Sequence, residues 1–462
     1  MPSGISSTLK QRFFRASGWV VSGHVISQML RLGTNLIMTR LLMPGMFGVM
    51  AIATVFMVGL ALFSDLGINQ NVVQSPRGND PGFLHTAWAV KILRGVLICL
   101  LALLISLGIY LAATHHIVAP DTVYADDRLP KVLAALSLAA IIQGFESNRL
   151  PLAWRRLELG RATMIEVTSL TVTLLSMLAW AALDPSIWAL VAGGIMGPLS
   201  KTLLSHKVLS GPDDRWAWET EALKELYHFG KWIFFSSTLW FLVMNGDRLI
   251  LGGLVGSKIL GQYSIAYLLA FALQQLMSRF FSAVAFPALS EVVRNTPEKL
   301  KATYYKIRSR TDPLALFSSG VLFVSGTPII HMLYDPRYWD AGPMFEVLAL
   351  SLIATRYEIS DQCYLALGFP KWLTLQNTIR MLVLFLAVPA AFSLYQFPGA
   401  IWAIVMSMFA VVPISIYVKI RLGILDVKKE LRVLPFFLLG WLIGKLALFS
   451  FGGILLRFGA VG

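Results

Sequence analysis

The apolar residues of this chain come in blocks of about 20, the length an α-helix needs to cross roughly 30 Å of hydrocarbon. The blocks lie near residues 18–38, 47–66, 95–113, 132–148, 162–183 and 187–205. After a polar stretch they resume near 231–254, 260–285, 313–333, 343–366, 373–395 and 399–418, and one further block covers 433–457. Lipid offers no water to backbone N–H and C=O groups, so such segments are predicted to be helices that satisfy their own backbone. Composition agrees. Of 462 residues, 56% are hydrophobic and 14% charged, with a mean hydropathy of +0.68. Soluble domains carry roughly 25% charged residues. The expected fold class is therefore all-α, a polytopic membrane protein with about 12 or 13 transmembrane helices.

The formal charge of +14 would suggest nucleic acid in a soluble protein. In a membrane protein it has a simpler source, because Lys and Arg accumulate in cytoplasmic loops, and no nucleic-acid partner is expected. With the N-terminus inside, the inner loops collect most of the 39 Lys and Arg residues. They include Lys10, Arg12 and Arg15, Arg149 to Arg161, Arg294 to Arg310, and Lys419 to Arg432. The N-terminus has no short apolar core followed by a small-residue cleavage site, so the first helix is expected to be its own insertion signal. Both cysteines, Cys99 and Cys363, fall inside apolar blocks, which supports neither a disulfide framework nor a metal site.

The chain repeats itself. The stretch LGTNLIMTRLLMPGMFGVMAIA of the first block aligns with NGDRLILGGLVGSKILGQYSIA of the seventh, placing Gly33 on Gly246, Asn35 on Arg248, Gly48 on Gly261 and Ala53 on Ala266. Two units of six spans then follow one another. Six is even, so both enter from the same side, and the substrate path is expected between parallel lobes. The expected organisation is a first lobe over 1–209, a cytoplasmic linker over 210–230, a second lobe over 231–421, and a basic segment with one further span over 422–462. In the linker, Trp216, Leu223, Leu226, Tyr227 and Phe229 set against Glu219, Glu221, Lys224 and Glu225 suggest a short amphipathic helix on the membrane surface, with an ordinary linker as the alternative.

Polar residues mark the first span. His24, Gln28, Arg31 and Asn35 recur at steps of four, three and four, one stripe of a helix. A stripe of this kind is costly in lipid and fits a helix lining a cavity.

RLLMPGMFGVMAIA (Arg40 to Ala53) followed by the Asp65-Leu66-Gly67 of SDLGINQNVVQ resembles the opening of bacterial Wzx-type oligosaccharide flippases. These belong to the polysaccharide transporter family of the multidrug/oligosaccharidyl-lipid/polysaccharide (MOP) exporter superfamily. NGDRLILGGLVGSKILGQYSIA (Asn245 to Ala266) and ALGFPK (Ala366 to Lys371) resemble the matching second-lobe segments. The likeness covers the whole chain in layout. It implies a V-shaped two-lobe transporter that turns a polyprenyl-pyrophosphate-linked oligosaccharide across the bacterial inner membrane, among membrane lipids and beside a polymerase or export machinery. The block after the twelfth span departs from family members that stop near twelve.

Ionisable residues inside spans usually face a cavity or a partner. A pyrophosphate needs fixed cations along a low-dielectric path, and arginine's planar fork suits phosphate oxygens. Arg31 and Arg248, on the paired central helices, are the first candidates, supported by His24, Gln28 and Asn35. Arg279, Arg356 and Arg380 are further cavity charges. Structural pairing is the competing reading, Arg248 with Asp247 and Arg356 with Glu358 or Asp361. Glu146, Glu166 and Asp247 are candidates for carrying a coupling proton or sodium ion. GIMGPLSKT (Gly194 to Thr202) is a near-miss to a phosphate loop, with Ser200 where glycine should precede Lys201. Neither a cofactor nor an enzyme constellation is expected. An ion-coupled drug exporter of the same superfamily is the alternative; it would want a carboxylate in the first helix, where this chain has Arg31. A membrane glycosyltransferase or polymerase fits less well, because the longest outer loop offers only Asp121, Asp126 and Asp127.

Overall fold

The computed structural model describes residues 3–457, and side chains in that range except at 3–17, 20–21, 229, 231–233, 235, 279–280, 282–283 and 451–457. Within it the chain forms two compact units, Met1–Phe241 and Leu242–Gly462, and among the described residues every regular element is helical.

The first unit contains α1 (Ser3–Leu41), α2 (Pro44–Phe63), the short α3 (Ile68–Gln74), α4 (Pro81–Thr114), α5 (Arg128–Gly144), α6 (Arg149–Arg155), α7 (Leu159–Leu183) and α8 (Trp188–Lys207). Local chemistry sets the breaks. Pro44 and Pro81 open α2 and α4, where a missing N–H costs nothing, and the Asp80 carboxylate caps α4 by accepting from Gly82 N–H at 3.1 Å. The Asp65-Leu66-Gly67 motif is the turn after α2. Gly67 sits at φ 59°, a left-handed conformation that suits glycine, and its N–H donates to Asp65 Oδ1 at 3.0 Å. Helices α5 and α6 are long and apolar enough to cross a membrane only when taken together, and the chain bends by 60° between them. Packing pairs α4 with α5, α7 with α8 and α1 with α7.

The ninth helix, α9 (Thr220–Gly252), corrects one expectation. No separate surface helix precedes the seventh span. Val208 to Glu219 is non-helical, and α9 then runs unbroken into the span. Only part of the apolar pattern faces protein: Leu226 is buried, with Ala222 and partly Leu223, against Ile68, Val72, Phe83 and Leu84, whereas Trp216 and Tyr227 are exposed and the Phe229 side chain lies outside the described residues.

The second unit holds α10 (Ser257–Phe280), a π-helical turn at Phe281–Ala285, α11 (Phe286–Asn295), α12 (Leu300–Leu333), the broken run α13 (Ala341–Ala349), α14 (Ser351–Ala354) and α15 (Glu358–Ala366), then α16 (Pro370–Phe409), α17 (Val412–Arg421), α18 (Val427–Arg432) and α19 (Pro435–Arg457). Gln396, at φ 56° and ψ −150°, breaks α16 into the two spans expected from the sequence. In ALGFPK, Gly368 takes φ 77° and ends α15, and Phe369 N–H returns to Tyr364 O at 2.9 Å. The extra block after the twelfth span is α19, and it packs along α12.

Each expected span thus has its helix. Among the described residues, seven stretches are long and apolar enough to cross a membrane, or eight with the bent α5–α6 pair. Helices α1, α8 and α9 and the broken run α13–α15 are not among them; α1 carries the polar stripe and α9 the Asp247-Arg248 pair.

Candidate functional site

A cavity of about 460 Å³ lies within the first unit, walled by α2, α4, α5 and α8. Apolar groups such as Met57, Ile98 and Leu136 form much of its lining, and Lys91, Arg94, Lys201 and Glu146 supply its charge. Lys91 stands about 15 Å along α4 from its start, by the helical rise. It is buried, and its Nζ donates to the Glu146 carbonyl at 2.7 Å and to Asn148 Oδ1 at 3.4 Å. Those acceptors are free because the chain bends after α5. Arg94, one turn further on, donates Nε to Ser64 Oγ at 3.1 Å and Nη2 to the Ala61 carbonyl, with Asp65 at 3.8 Å. The Asp65-Leu66-Gly67 turn therefore also positions a cavity cation. Lys201, on α8, lies 2.9 Å from the Glu146 carboxylate. Three cations thus line the cavity against one carboxylate. Space, apolar walls and surplus positive charge suit a bulky ligand with an anionic head.

Sequence reasoning missed this group. Its span began at residue 95, which put Lys91 and Arg94 in a loop. It set the GIMGPLSKT match aside; the segment is helical, so its backbone cannot cradle a phosphate, yet its Lys201 reaches the cavity.

The named candidates fall in several places. Arg31 is exposed on α1, while His24, Gln28 and Asn35 are half-buried on the same helix. Glu146 is buried and paired with Lys201. Glu166 is exposed on α7. In the second unit Asp247 is buried and accepts from the Tyr263 hydroxyl. Arg248 lies with its guanidinium 4.0 Å from the centre of the Tyr267 ring, and Tyr267 stacks on Phe271. Arg380 is half-buried, with Tyr267, Glu358, Asp247 and Asp361 in its electrostatic reach. Glu358 accepts from Ser278 and from Gln274 Nε2, the latter at 3.4 Å. The Arg279 side chain lies outside the described residues. Arg356 does not pair with Glu358 or Asp361. It turns to Asp312 at 3.4 Å and Glu430 at 3.1 Å, because the turn of 3-10 helix at Thr355–Tyr357 directs it towards α12 and α18.

Outside the spans, Arg77 ties Asp80 and Glu219 together at 2.6 Å each. The hydrogen bond from Arg77 holds the Asp80 carboxyl below its usual range.

This fold is similar to that of solved MOP-superfamily transporters. The fold matches the lipid II flippase MurJ in an inward closed conformation with a TM-score of 0.68 at 13% identity, covering 95% of this chain and 98% of that one. It matches an inward-facing multidrug resistance MATE family transporter of the MOP superfamily with a TM-score of 0.65 at 12% identity, covering 86% and 94%. Residues 37–343 match the family described as polysaccharide biosynthesis protein, and the chain belongs to that family. Among curated relatives, the lipopolysaccharide biosynthesis protein WzxC of Escherichia coli K12 is 21% identical over 352 residues, 74% of this chain and 67% of the relative. The succinoglycan biosynthesis transport protein ExoT of Rhizobium meliloti 1021 is 22% identical over 340 residues, 73% of this chain and 65% of the relative. The chain spans about two thirds of the length of these relatives.

Proposed function

We propose that this multi-pass membrane protein flips a polyprenyl-pyrophosphate-linked oligosaccharide across a bacterial inner membrane, with its N-terminus in the cytoplasm, to supply exopolysaccharide, capsule or O-antigen synthesis. The observation that carries the reading is the first unit's cavity, where Lys91, Arg94 and Lys201 outnumber Glu146. A surplus of cations at membrane depth is costly without an anion to meet it. A pyrophosphate carried on an apolar tail satisfies both the charge and the walls. The family match and the relatives' names, lipopolysaccharide biosynthesis and succinoglycan transport, support a glycan-bearing cargo.

Arg31 is a further cation in this reading. It is exposed on a helix that also bears His24, Gln28 and Asn35, and it would receive the pyrophosphate as the carrier moves. Arg248 and Arg380 are its counterparts in the second unit. Arg356 belongs to a buried ion network. Of the three coupling carboxylates, Asp247 is favoured: it is buried and forms no ion pair among the described residues, whereas Glu146 is neutralised by Lys201 and Glu166 is exposed. A polymerase or export machinery would take the delivered unit.

The test is genetic and chemical together. Deleting the gene should stop polymer export while lipid-linked repeat units accumulate on the cytoplasmic face, and the intact gene should restore export. Lipid-linked units reaching the periplasm at the normal rate in the deletion strain would refute the assignment.

A further inference from the structure

The second unit contains a buried charged cluster that shares no residue with the first unit's cavity. Arg308 on α12, Arg356 after α14 and Lys419 on α17 all converge on one carboxylate, Glu430 of α18. Arg308 bonds it directly, Arg356 Nη2 approaches to 3.1 Å, Lys419 Nζ to 3.0 Å, and the Tyr305 hydroxyl donates at 3.1 Å. Asp312 is the other anion, 2.6 Å from Arg308 and 3.4 Å from Arg356. The three cations are at most 5% exposed, and Glu430 is the most accessible charged member, at 16%.

The carboxylate arrives on an unusual carrier. Helix α18 buries none of its residues. Val427 and Leu431 are exposed, and so are Lys428, Lys429 and Arg432. Besides the Glu430 carboxylate, a few polar contacts and its buried flanks hold it: Asp426 N–H donates to Tyr305 OH at 2.9 Å, Lys301 Nζ reaches Leu425 O at 2.9 Å, Arg356 Nη2 donates to the Glu430 carbonyl at 3.0 Å, the Lys429 ammonium lies 5.1 Å from the Tyr305 ring, and Ile424 and Val433 are buried on either side. A fully buried ion network usually has all its members on packed elements. Here one anion is delivered by a surface strap. If the strap lifts, three cations face Asp312 alone. The buried Arg356 Nε makes no hydrogen bond and only approaches Asp312 at 3.4 Å, which leaves the cradle a weakly used donor.

We propose that the Arg308–Arg356–Lys419 cradle is an anion-binding site for phosphoryl oxygens, which the chain itself closes with Glu430 as an internal stand-in. Two arginine forks, an ammonium and a phenol match a multidentate phosphate or pyrophosphate better than a carboxylate. Glu430 competes because its tether keeps its effective concentration high. A phosphate-type anion that displaces it frees α18, whose apolar and basic faces then suit an anionic bilayer surface. This site is independent of the reading given to the first unit's cavity.

The full-length protein in detergent tests it, with thermal unfolding read by tryptophan fluorescence at constant ionic strength. Glu430→Gln should be less stable than wild type in chloride. Sodium pyrophosphate should raise its midpoint by several degrees more than it raises that of wild type. The extra gain should vanish in Glu430→Gln/Arg356→Gln and survive in Glu430→Gln/Lys91→Met, which separates this site from the first unit's cavity. A Glu430→Gln midpoint that responds to pyrophosphate no more than wild type overturns the proposal, and so does a gain that disappears with Lys91 but not with Arg356. Should Glu430→Gln fail to fold, Val433→Cys provides the second reading, since Val433 is buried beside α18 and the native Cys99 and Cys363 are also buried. Pyrophosphate should raise its maleimide labelling rate several-fold, and an unchanged rate overturns the proposal. Nanodiscs identify the source: a gain from anionic phospholipid over phosphatidylcholine, without added pyrophosphate, assigns a lipid headgroup, and a gain only from soluble pyrophosphate assigns a free anion.

Discussion

Replacing Lys91 by methionine tests the cavity most directly. The two side chains have similar length, so the change removes a charge with little change in volume. Two acceptors, the Glu146 carbonyl at 2.7 Å and Asn148 Oδ1 at 3.4 Å, lose their donor. An unsatisfied buried acceptor costs about 1–3 kcal/mol. Against that, Lys91 is only 8% exposed, and desolvating an ammonium costs several kcal/mol. The two effects oppose, so folded abundance should fall little. Anion binding has no such offset. A unit charge pair at 4 Å contributes about 4 kcal/mol at an effective dielectric constant of 20. With Arg94 and Lys201 still present and the ligand partly hydrated, a loss of about half, near 2 kcal/mol, is expected, or roughly 30-fold in affinity.

The assays are export of polymer in a deletion strain and pyrophosphate titration of the purified protein. Lys91→Met should accumulate lipid-linked units at near-normal protein level. Glu146→Gln supplies the opposite sign. It releases Lys201 from its 2.9 Å partner and leaves the cavity with three cations and no carboxylate in its lining. Pyrophosphate should then bind about tenfold more tightly, the effect of about 1.4 kcal/mol, although transport should slow because release becomes harder. Structural damage would weaken anion binding in both variants. Equal weakening by Lys91→Met and Glu146→Gln, or normal export by Lys91→Met at wild-type abundance, would refute the electrostatic reasoning.

Three further outcomes are expected. Arg31→Ala should insert and accumulate normally but block export, with Arg31→Lys rescuing only in part because a point charge replaces a fork; full export by the alanine variant would remove Arg31 from the path. Single cysteines placed in 149–161 and 287–312 should resist an impermeant thiol reagent from the periplasm, since these loops carry dense positive charge; labelling of both from outside would invert the topology. Because the Asp80 carboxyl titrates below its usual range in the folded protein, its contribution to stability is complete above the ordinary carboxylate range and is lost as pH falls through that range towards the lowered value. Asp80→Asn should therefore lower the unfolding midpoint at neutral pH and flatten its decline between about pH 5 and 3; an unchanged acid decline would show that the Arg77–Asp80 tie does not control it.

What could be read in advance follows from what each signal measures. Hydropathy reports the cost of wetting a helix, and it located the spans, including the division of α16 at Gln396. Asp65-Leu66-Gly67 and Ala366-Leu367-Gly368 stood out in the sequence only as family resemblance, and their left-handed glycines show them to be chain turns. Hydropathy fails where charge enters the end of a span. Lys91 and Arg94 lie about three to four turns into a 34-residue helix, and their polarity shortened the expected span until they lay outside it. The repeat drew attention to α1 and α9 but is blind to what is not repeated: α19 and its strap α18 have no counterpart in the first half, and Glu430 lies there.

Partner choice is the part that no local signal contains. Arg356 has Glu358 two residues away and Asp361 five away, and proximity along the chain favoured those carboxylates. The turn of 3-10 helix at Thr355–Tyr357 separates them, leaving Glu358 to Ser278 and Gln274 and sending Arg356 to a carboxylate 74 residues distant. Arg308 reaches the same carboxylate across 122 residues. A buried cation fixes that an anion must be nearby, because the unpaired charge is too costly to keep. It does not fix whether that anion is a neighbour, a distant segment or a ligand. The Lys91 cavity and the Glu430 cradle are two answers to one electrostatic demand. In the cavity the intrinsic carboxylate is outnumbered and space remains, so the balance falls to a ligand. In the cradle the chain supplies the anion itself, on a surface helix that buries none of its own residues.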